Sequence, residues 1–442
     1  MPTPLYDALT AFAAAAPARF HMPGHKGRGL PSARNADWAA LDFTELPPTG
    51  DLYAGGGPIE EAEGLWARAY GFERCLFLTG GSTQGLHAAL TLACAPGDSL
   101  LMDRGCHRSV YNALALLDLR PAFLFRETSP AGVPGPIAPQ AVEDGLTARP
   151  DIHTVCITSP TYYGVLSDIP GIAAVCHAHG AKLVVDAAHG AHLNWLGDPS
   201  LSAADLVVTS AHKTLPAPGQ TALLLAHAPL RELRRAGAVY GSSSPSYPLM
   251  AALDLCRDYM EGEGRVAYRA CAGQVAALRR DYPSLADGPL RLDPCRFVLR
   301  RADGFAAQTA LEGLGVWPEM ADRDHVVFIC TCADAPADFA RLRAGLDALE
   351  PWADSPPLSP GPPAPETVLS PRQALFSHRE TLPLRAAEGR IGACQIAPYP
   401  PGVPVVAPGE RVTKKIVAYL AHIGYNMVDD IEVVVRHKAV DV

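Results

Sequence analysis

Lys213 stands in Ser210-Ala211-His212-Lys213-Thr214, directly after the strand-forming run Asp205-Leu206-Val207-Val208-Thr209. A second apolar run, Lys182-Leu183-Val184-Val185, ends in Asp186 and is followed by Ala187-Ala188-His189-Gly190. Ligands of open α/β sheets collect at the carboxyl ends of parallel strands, so this acid and this lysine can share one sheet edge. A lysine amine forms a Schiff base with an aldehyde, and a carboxylate opposite keeps a pyridine nitrogen protonated, so that the ring becomes an electron sink. That pairing suits pyridoxal 5'-phosphate. On these two residues alone, a surface lysine and a helix-capping aspartate are an equal alternative.

A phosphate needs its own cradle. Residues 75–79 read as a strand, and Gly80-Gly81-Ser82-Thr83-Gln84-Gly85 feeds into a helix-like stretch at 86–94. Backbone donors of a helix N-terminus, with the hydroxyls of Ser82 and Thr83, can hold a phosphate there without the GxxxxGK spacing of a nucleotide loop. A second irregular stretch, His21-Met22-Pro23-Gly24-His25-Lys26-Gly27, carries two histidines and a lysine. It is either an exposed basic turn or a loop that reaches the active site.

The elements that position these residues follow from periodicity. Leu5, Leu9 and Phe12 share a helical face, and a helix is expected at 59–70, opened by Glu60 and Glu61. Strands at 99–103, 122–125, 154–158, 182–185, 205–209 and 221–226, with a helix near 109–117, form the alternation of a mainly parallel, doubly wound sheet. Ser242-Ser243-Ser244-Pro245-Ser246-Tyr247 precedes helices at 249–261 and 265–280. Beyond about residue 290, short strands at 297–300 and 325–330 announce a smaller α+β layer. Six prolines between Pro356 and Pro365 mark an extended loop. The expected division is an N-terminal segment 1–55, a large cofactor-binding domain 56–285 and a C-terminal α+β domain 286–442.

The whole chain has 442 residues, 48% hydrophobic and 19% charged, the profile of a globular enzyme with a sizeable core. A net charge of -9 argues against nucleic acid as a partner and is compatible with a cationic small substrate. Eleven cysteines without a compact framework, no basic leader and no long apolar run point to a cytoplasmic protein with no membrane partner. His189-x-x-His192 and His177-x-His179 raise zinc as an alternative, without an HExxH pattern to support it.

HMPGHKG (21–27), GGSTQG (80–85), DRGCHRSV (103–110), TSPTYYG (158–164), DAAHGAH (186–192), SAHKTL (210–215), SSSPSY (242–247) and PYPPGVP (398–404) run in one order across most of the chain. Together they resemble the prokaryotic ornithine/lysine/arginine decarboxylases of fold-type I, whose cofactor is pyridoxal 5'-phosphate. The resemblance implies an aspartate-aminotransferase-like large domain and an active site at the subunit interface of a homodimer or higher homo-oligomer. It gives Lys213 the Schiff base, Asp186 the pyridinium nitrogen and His107 the stacking position on the ring. Ser82, Thr83, Ser210 and His212 would gather around the phosphate, Ala188 would lie against the other ring face, and His189 would touch the ring substituents. It also implies the shorter form of the family, with no receiver-like wing ahead of residue 21.

Three positions depart from the family pattern: Gly80 and Leu86 stand where asparagines are usual, and Ala187 where a glutamate is usual. They bear on substrate geometry and leave the anchoring groups intact. The expected reaction is loss of CO2 from a basic amino acid, arginine slightly favoured, with Lys213 or His189 returning a proton to Cα. Glu410, Asp51 or a partner-subunit carboxylate would receive the distal cation. The alternatives are transamination or aldol-type cleavage on the same cofactor, and a catalytically silent regulator that keeps the fold.

Overall fold

The computed structural model describes residues 14, 18–22, 24–26, 28, 41–285, 290–349, 363–364, 366–397, 404–422 and 430–435. The amphipathic stretch expected from residue 5, nearly all of the proline-rich 356–365 segment and residues 398–403 lie outside the described residues. Among the described residues no helix is long and apolar enough to cross a membrane.

In chain order the strands are β1 (Ala18–Phe20), β2 (Arg74–Leu78), β3 (Ser99–Asp103), β4 (Arg120–Leu124), β5 (Thr154–Thr158), β6 (Lys182–Asp186), β7 (Leu206–Thr209) and β8 (Ala222–Ala226). Strands β2 to β8 make one seven-stranded sheet in the order β2-β8-β7-β6-β5-β3-β4. All neighbours pair in parallel except β8, which runs antiparallel to both β2 and β7. The exception has a simple cause. Between β7 and β8 the only regular element is a four-residue helix, too little chain to recross the sheet, so the strand returns in the opposite sense.

Leu, Val and Ala fill β6, β7 and β8 on both faces, because helices cover both sides of the sheet. Those that position the site are α1 (Gly57–Tyr70), α2 (Gly81–Ala93), α3 (Arg108–Leu117), α4 (Pro139–Ala148), α5 (Ile169–Ala178) and α6 (Ala211–Thr214). Helix α2 starts at Gly81, five residues ahead of the apolar periodicity that begins at Leu86. Its first turn, Gly-Ser-Thr-Gln, has no apolar side chain, so hydrophobic patterning does not register it. Strand β4 starts at Arg120 and tolerates Pro121 because it is the sheet's edge.

The smaller layer holds β9 (Arg296–Arg300), β10 (Val316–Pro318), β11 (Met320–Ala321) and β12 (His325–Ile329), with β11, β12 and β9 forming an antiparallel sheet. Strand β1 pairs in parallel with β10, Ala18 opposite Val316, so this part of the N-terminal segment builds on the smaller layer. Strands β13 (Arg379–Pro383) and β14 (Asp430–Val434) form a third unit. Its own core includes Ile396, Val406, Val412, Ile416, Leu420, Ile431 and Val433.

Candidate active site

Six strands, β2 to β7, run in one sense and deliver their last residues to one edge. Asp186 ends β6 and is 2% exposed; its Oδ1 accepts the Ala188 N–H at 3.1 Å. Burial pushes its carboxyl above the usual range, against the pull of the Lys213 charge. Ser210 follows β7 and opens α6, and Lys213 lies in that short helix. Lys213 Nζ is 3.1 Å from His189 Nε2. Burial holds this lysine below its ordinary value, with Asp186 and Glu319 working the other way and Arg296 adding to the depression.

Most of the stretch expected as a turn, from Gly81 on, is the first turn of α2. No side chain caps the first turn of α2, so its amides remain for a ligand, and the Ser82 and Ser210 hydroxyls touch across it. Gly80 N–H is instead taken by Gln84 Oε1 at 2.9 Å, while Gln84 Nε2 donates to Gly237 O and to the Tyr53 hydroxyl. Gln84 thus occupies the space that an asparagine at position 80 would use: a Cβ there would sit 2.9 Å from its Oε1. Gly85 lets α2 sit on the sheet, because a Cβ would meet Leu78 Cδ1 at 2.6 Å and Val208 Cγ1 at 2.7 Å. Leu86 and Ala187 are both buried among apolar neighbours, where asparagine or glutamate would require new partners.

His107 caps α3: its Nδ1 accepts the Ser109 N–H at 3.3 Å and shares a hydrogen bond with Ser109 Oγ at 2.8 Å. Desolvation of the ring, then the charges of Lys213 and Arg108, lowers it to about 4. His212 Nδ1 lies 3.0 Å from Thr221 O, and burial lowers it too. Gly24 N–H donates to His212 O at 2.7 Å, and Thr331 Oγ1 donates to Gly24 O at 2.7 Å. The basic N-terminal loop therefore reaches the site. Lys26 does not offer its charge there, since Nζ donates to the carbonyls of His21 and Ile329.

The histidine pairs do not converge as zinc ligands. Residues 188–192 form turns rather than a helical face, so His189 turns to Lys213 while His192 Nε2 meets Asp293 Oδ1 at 2.8 Å. His177 pairs with Asp205 and His179 with Glu143. His192, Asp293 and Cys295 do bring donor atoms within 4.8 Å of one another, but the Arg296 guanidinium, 3.9 Å from Asp293, already supplies positive charge. Of the carboxylates considered for a distal cation, Glu410 is bound on both oxygens by Arg104. Asp51 Oδ1 accepts the amides of Tyr53 and Ala54.

Residues not singled out from the sequence complete the edge. Arg296 opens β9, is 1% exposed, and places Nη2 3.4 Å from His189 Nδ1, while its Nε and Nη1 have no hydrogen-bond partner. Tyr162 packs its ring on His189 at 4.7 Å between centroids and donates its hydroxyl to Glu319. Neither signal is local, because both depend on how the smaller layer docks on the sheet. A half-buried lysine at the same sheet edge as a buried aspartate, an uncapped helix N-terminus and paired hydroxyls fit a phosphate-bearing aldehyde cofactor such as pyridoxal 5'-phosphate.

The fold is that of the fold-type I pyridoxal-phosphate enzymes. The chain belongs to the Orn/Lys/Arg decarboxylase family: its major-domain model matches residues 3–300 and its C-terminal-domain model residues 362–426. It is accordingly an amino-acid decarboxylase of that family. Uncharacterised protein YaaO of Bacillus subtilis is 34% identical over 96% of this chain and 94% of its own. Arginine decarboxylase of Bacillus anthracis is 29% identical over 95% of this chain and 92% of its own. Among solved structures, the constitutive lysine decarboxylase of Escherichia coli superposes with a TM-score of 0.75 at 18% identity, covering 90% of this chain and 76% of that one.

Proposed function

We propose that the chain uses pyridoxal 5'-phosphate to remove the α-carboxylate of a basic amino acid, arginine first among them, releasing CO2 and the amine. The observation that carries this reading is Lys213 Nζ, held 3.1 Å from His189 at the same sheet edge as the buried Asp186. Lys213 would hold the cofactor covalently and Asp186 would take its pyridinium N–H. His107 would stack on the ring and Ala188 would leave room at the other face. Ser82, Thr83, Ser210, His212 and the first-turn amides of α2 would hold the phosphate. The bound ring supplies a sink for the electron pair that departing CO2 leaves behind.

The chain's own groups do the rest. The two unpartnered nitrogens of Arg296 offer donors to an α-carboxylate next to His189, which would orient the bond to be broken. Lys213 Nζ and His189 Nε2 form one proton-holding pair, from which Cα would regain a proton in place of CO2. Similarity to arginine decarboxylases supports arginine as the first substrate to try. Eleven cysteines, all free, support a cytoplasmic setting. Exposed Phe43 and Leu46, near the glycine-rich turn at 54–57, support a homodimer. The amine formed is of the class that enters polyamine biosynthesis.

One observation favours a second reading. A buried arginine with donors to spare is also what a transaminase needs to keep hold of the carboxylate, so Arg296 by itself does not separate the two reactions. Purified protein scanned for a visible cofactor band, then given arginine, lysine and ornithine separately, separates them. A band absent from Lys213→Ala together with CO2 and an amine from one substrate is the expected result. A keto acid without CO2 would establish transamination, and no band after adding pyridoxal 5'-phosphate would overturn the cofactor.

A further inference from the structure

Three residues in a line fix where two protons sit. Arg296 Nη2 lies 3.4 Å from His189 Nδ1, and His189 Nε2 lies 3.1 Å from Lys213 Nζ. A guanidinium carries only donors and does not lose its proton in proteins, so Nδ1 must be the acceptor. A neutral imidazole has one N–H, and it is then on Nε2. That N–H points at Lys213 Nζ, which can accept it only through the lone pair of an uncharged amine. An ammonium there would set N–H against N–H, with a buried guanidinium behind.

The line is held from several sides. Arg296 N–H donates to Asp293 O at 3.1 Å, and its own carbonyl accepts from Arg279 Nη2 at 2.7 Å. Its Cβ and Cγ press on Gly164, where an added Cβ would come within 2.7 and 2.8 Å of them. The His189 ring is backed by Tyr162. The charged and titratable groups facing Lys213 are Asp186 and Glu319, which favour its cation, and Arg296, His189, His107 and His212, which do not.

We infer that Arg296 is a positioning residue that, by donating to Nδ1, holds the single imidazole proton of His189 on Nε2 and so keeps Lys213 as the free amine ready for covalent attachment. This rests on Lys213 being the cofactor lysine, yet it concerns proton positions that exist before any cofactor binds. It predicts that His189 transmits the effect of Arg296, rather than Arg296 acting on Lys213 through its charge alone.

The test is competitive acetylation of Lys213 by acetic anhydride in the full chain freed of cofactor, followed by mass spectrometry across pH. Arg296→Met raises the midpoint for Lys213 labelling by at least about one pH unit, a tenfold fall in free amine at fixed pH. His189→Gln produces a rise of its own, and Arg296→Met adds nothing in that background. An unchanged midpoint in Arg296→Met, or the same shift with and without His189, overturns the inference. Should Arg296→Met not fold, nitrogen-15 imidazole spectra of the unmodified chain decide it: a His189 signal with the proton on Nδ1 overturns the proposal, and one with it on Nε2 supports it. Failure of the cofactor reading shows separately, as a cofactor band that persists in Lys213→Ala.

Discussion

Glu410 closes on Arg104 with both carboxylate oxygens, Oε1 2.5 Å from Nη1 and Oε2 2.8 Å from Nη2, and so ties the C-terminal segment to the loop after β3. Both side chains are almost wholly buried; Arg104 also donates to Val405 O and lies over the Phe123 ring, and Glu410 accepts the Ala407 N–H. Removing one partner would leave the other as an unpaired charge in a site sealed from water. Arg104→Leu should therefore cost about 3–5 kcal/mol of stability. Chemical denaturation that gives less than about 1 kcal/mol would show that the pair does not hold the segment in place. The same geometry explains why Glu410 is unsuited to receiving a substrate cation.

Gly85→Ala tests how closely α2 must approach the sheet. Its Cβ would lie 2.6 Å from Leu78 Cδ1 and 2.7 Å from Val208 Cγ1, and both neighbours are themselves fully packed. Overpacking of this kind costs about 1–3 kcal/mol. Because the first turn of this helix is the proposed phosphate cradle, the cofactor should dissociate more readily as well. A variant with unchanged unfolding midpoint and unchanged cofactor retention would contradict the close approach.

Much of this arrangement was legible in the sequence because it is local. Strand ends at Asp186 and Thr209, the turn at Gly80–Gly85 and the lysine of α6 each follow from a short apolar run and the residues behind it. The start of α2 was not legible, because its first turn, Gly-Ser-Thr-Gln, has no apolar side chain to mark it. The pairing of β1 with β10 and the arrival of Arg296, Tyr162 and Glu319 were not legible, since each requires segments more than a hundred residues apart to dock. Arg296 in particular looks like any arginine at the start of a strand; only its burial with two guanidinium nitrogens unpartnered marks it.

His189 should give the fold a recognisable acid sensitivity. Burial holds it well below 6.5, so it is neutral in the folded protein. Below pH 6.5 the unfolded chain takes up the proton that the folded chain refuses, and folding stability falls as pH falls. This one group contributes a slope of at most about 1.4 kcal/mol per pH unit. In His189→Gln the decline between pH 6.5 and 5 should be shallower than in the unmodified protein. Parallel curves of melting temperature against pH would mean that His189 is not the group responsible.

His107 carries two roles that substitution can separate. Its Nδ1 caps α3 by accepting the Ser109 N–H, and its ring is the proposed stacking partner of the cofactor. His107→Asn can keep the cap and lose the ring; His107→Phe keeps a ring and loses the cap. Loss of an N-cap costs about 0.5–2 kcal/mol, so the Phe variant should melt earlier while retaining cofactor. Loss of an aromatic contact is worth about 0.5–1.5 kcal/mol, so the Asn variant should hold its melting temperature and release cofactor about two- to twelvefold more readily. Equilibrium dialysis of the cofactor beside a thermal melt reads both effects on the same samples. If Asn and Phe weaken cofactor binding equally, the ring does not act by stacking, and the cap alone explains why a histidine stands at this position.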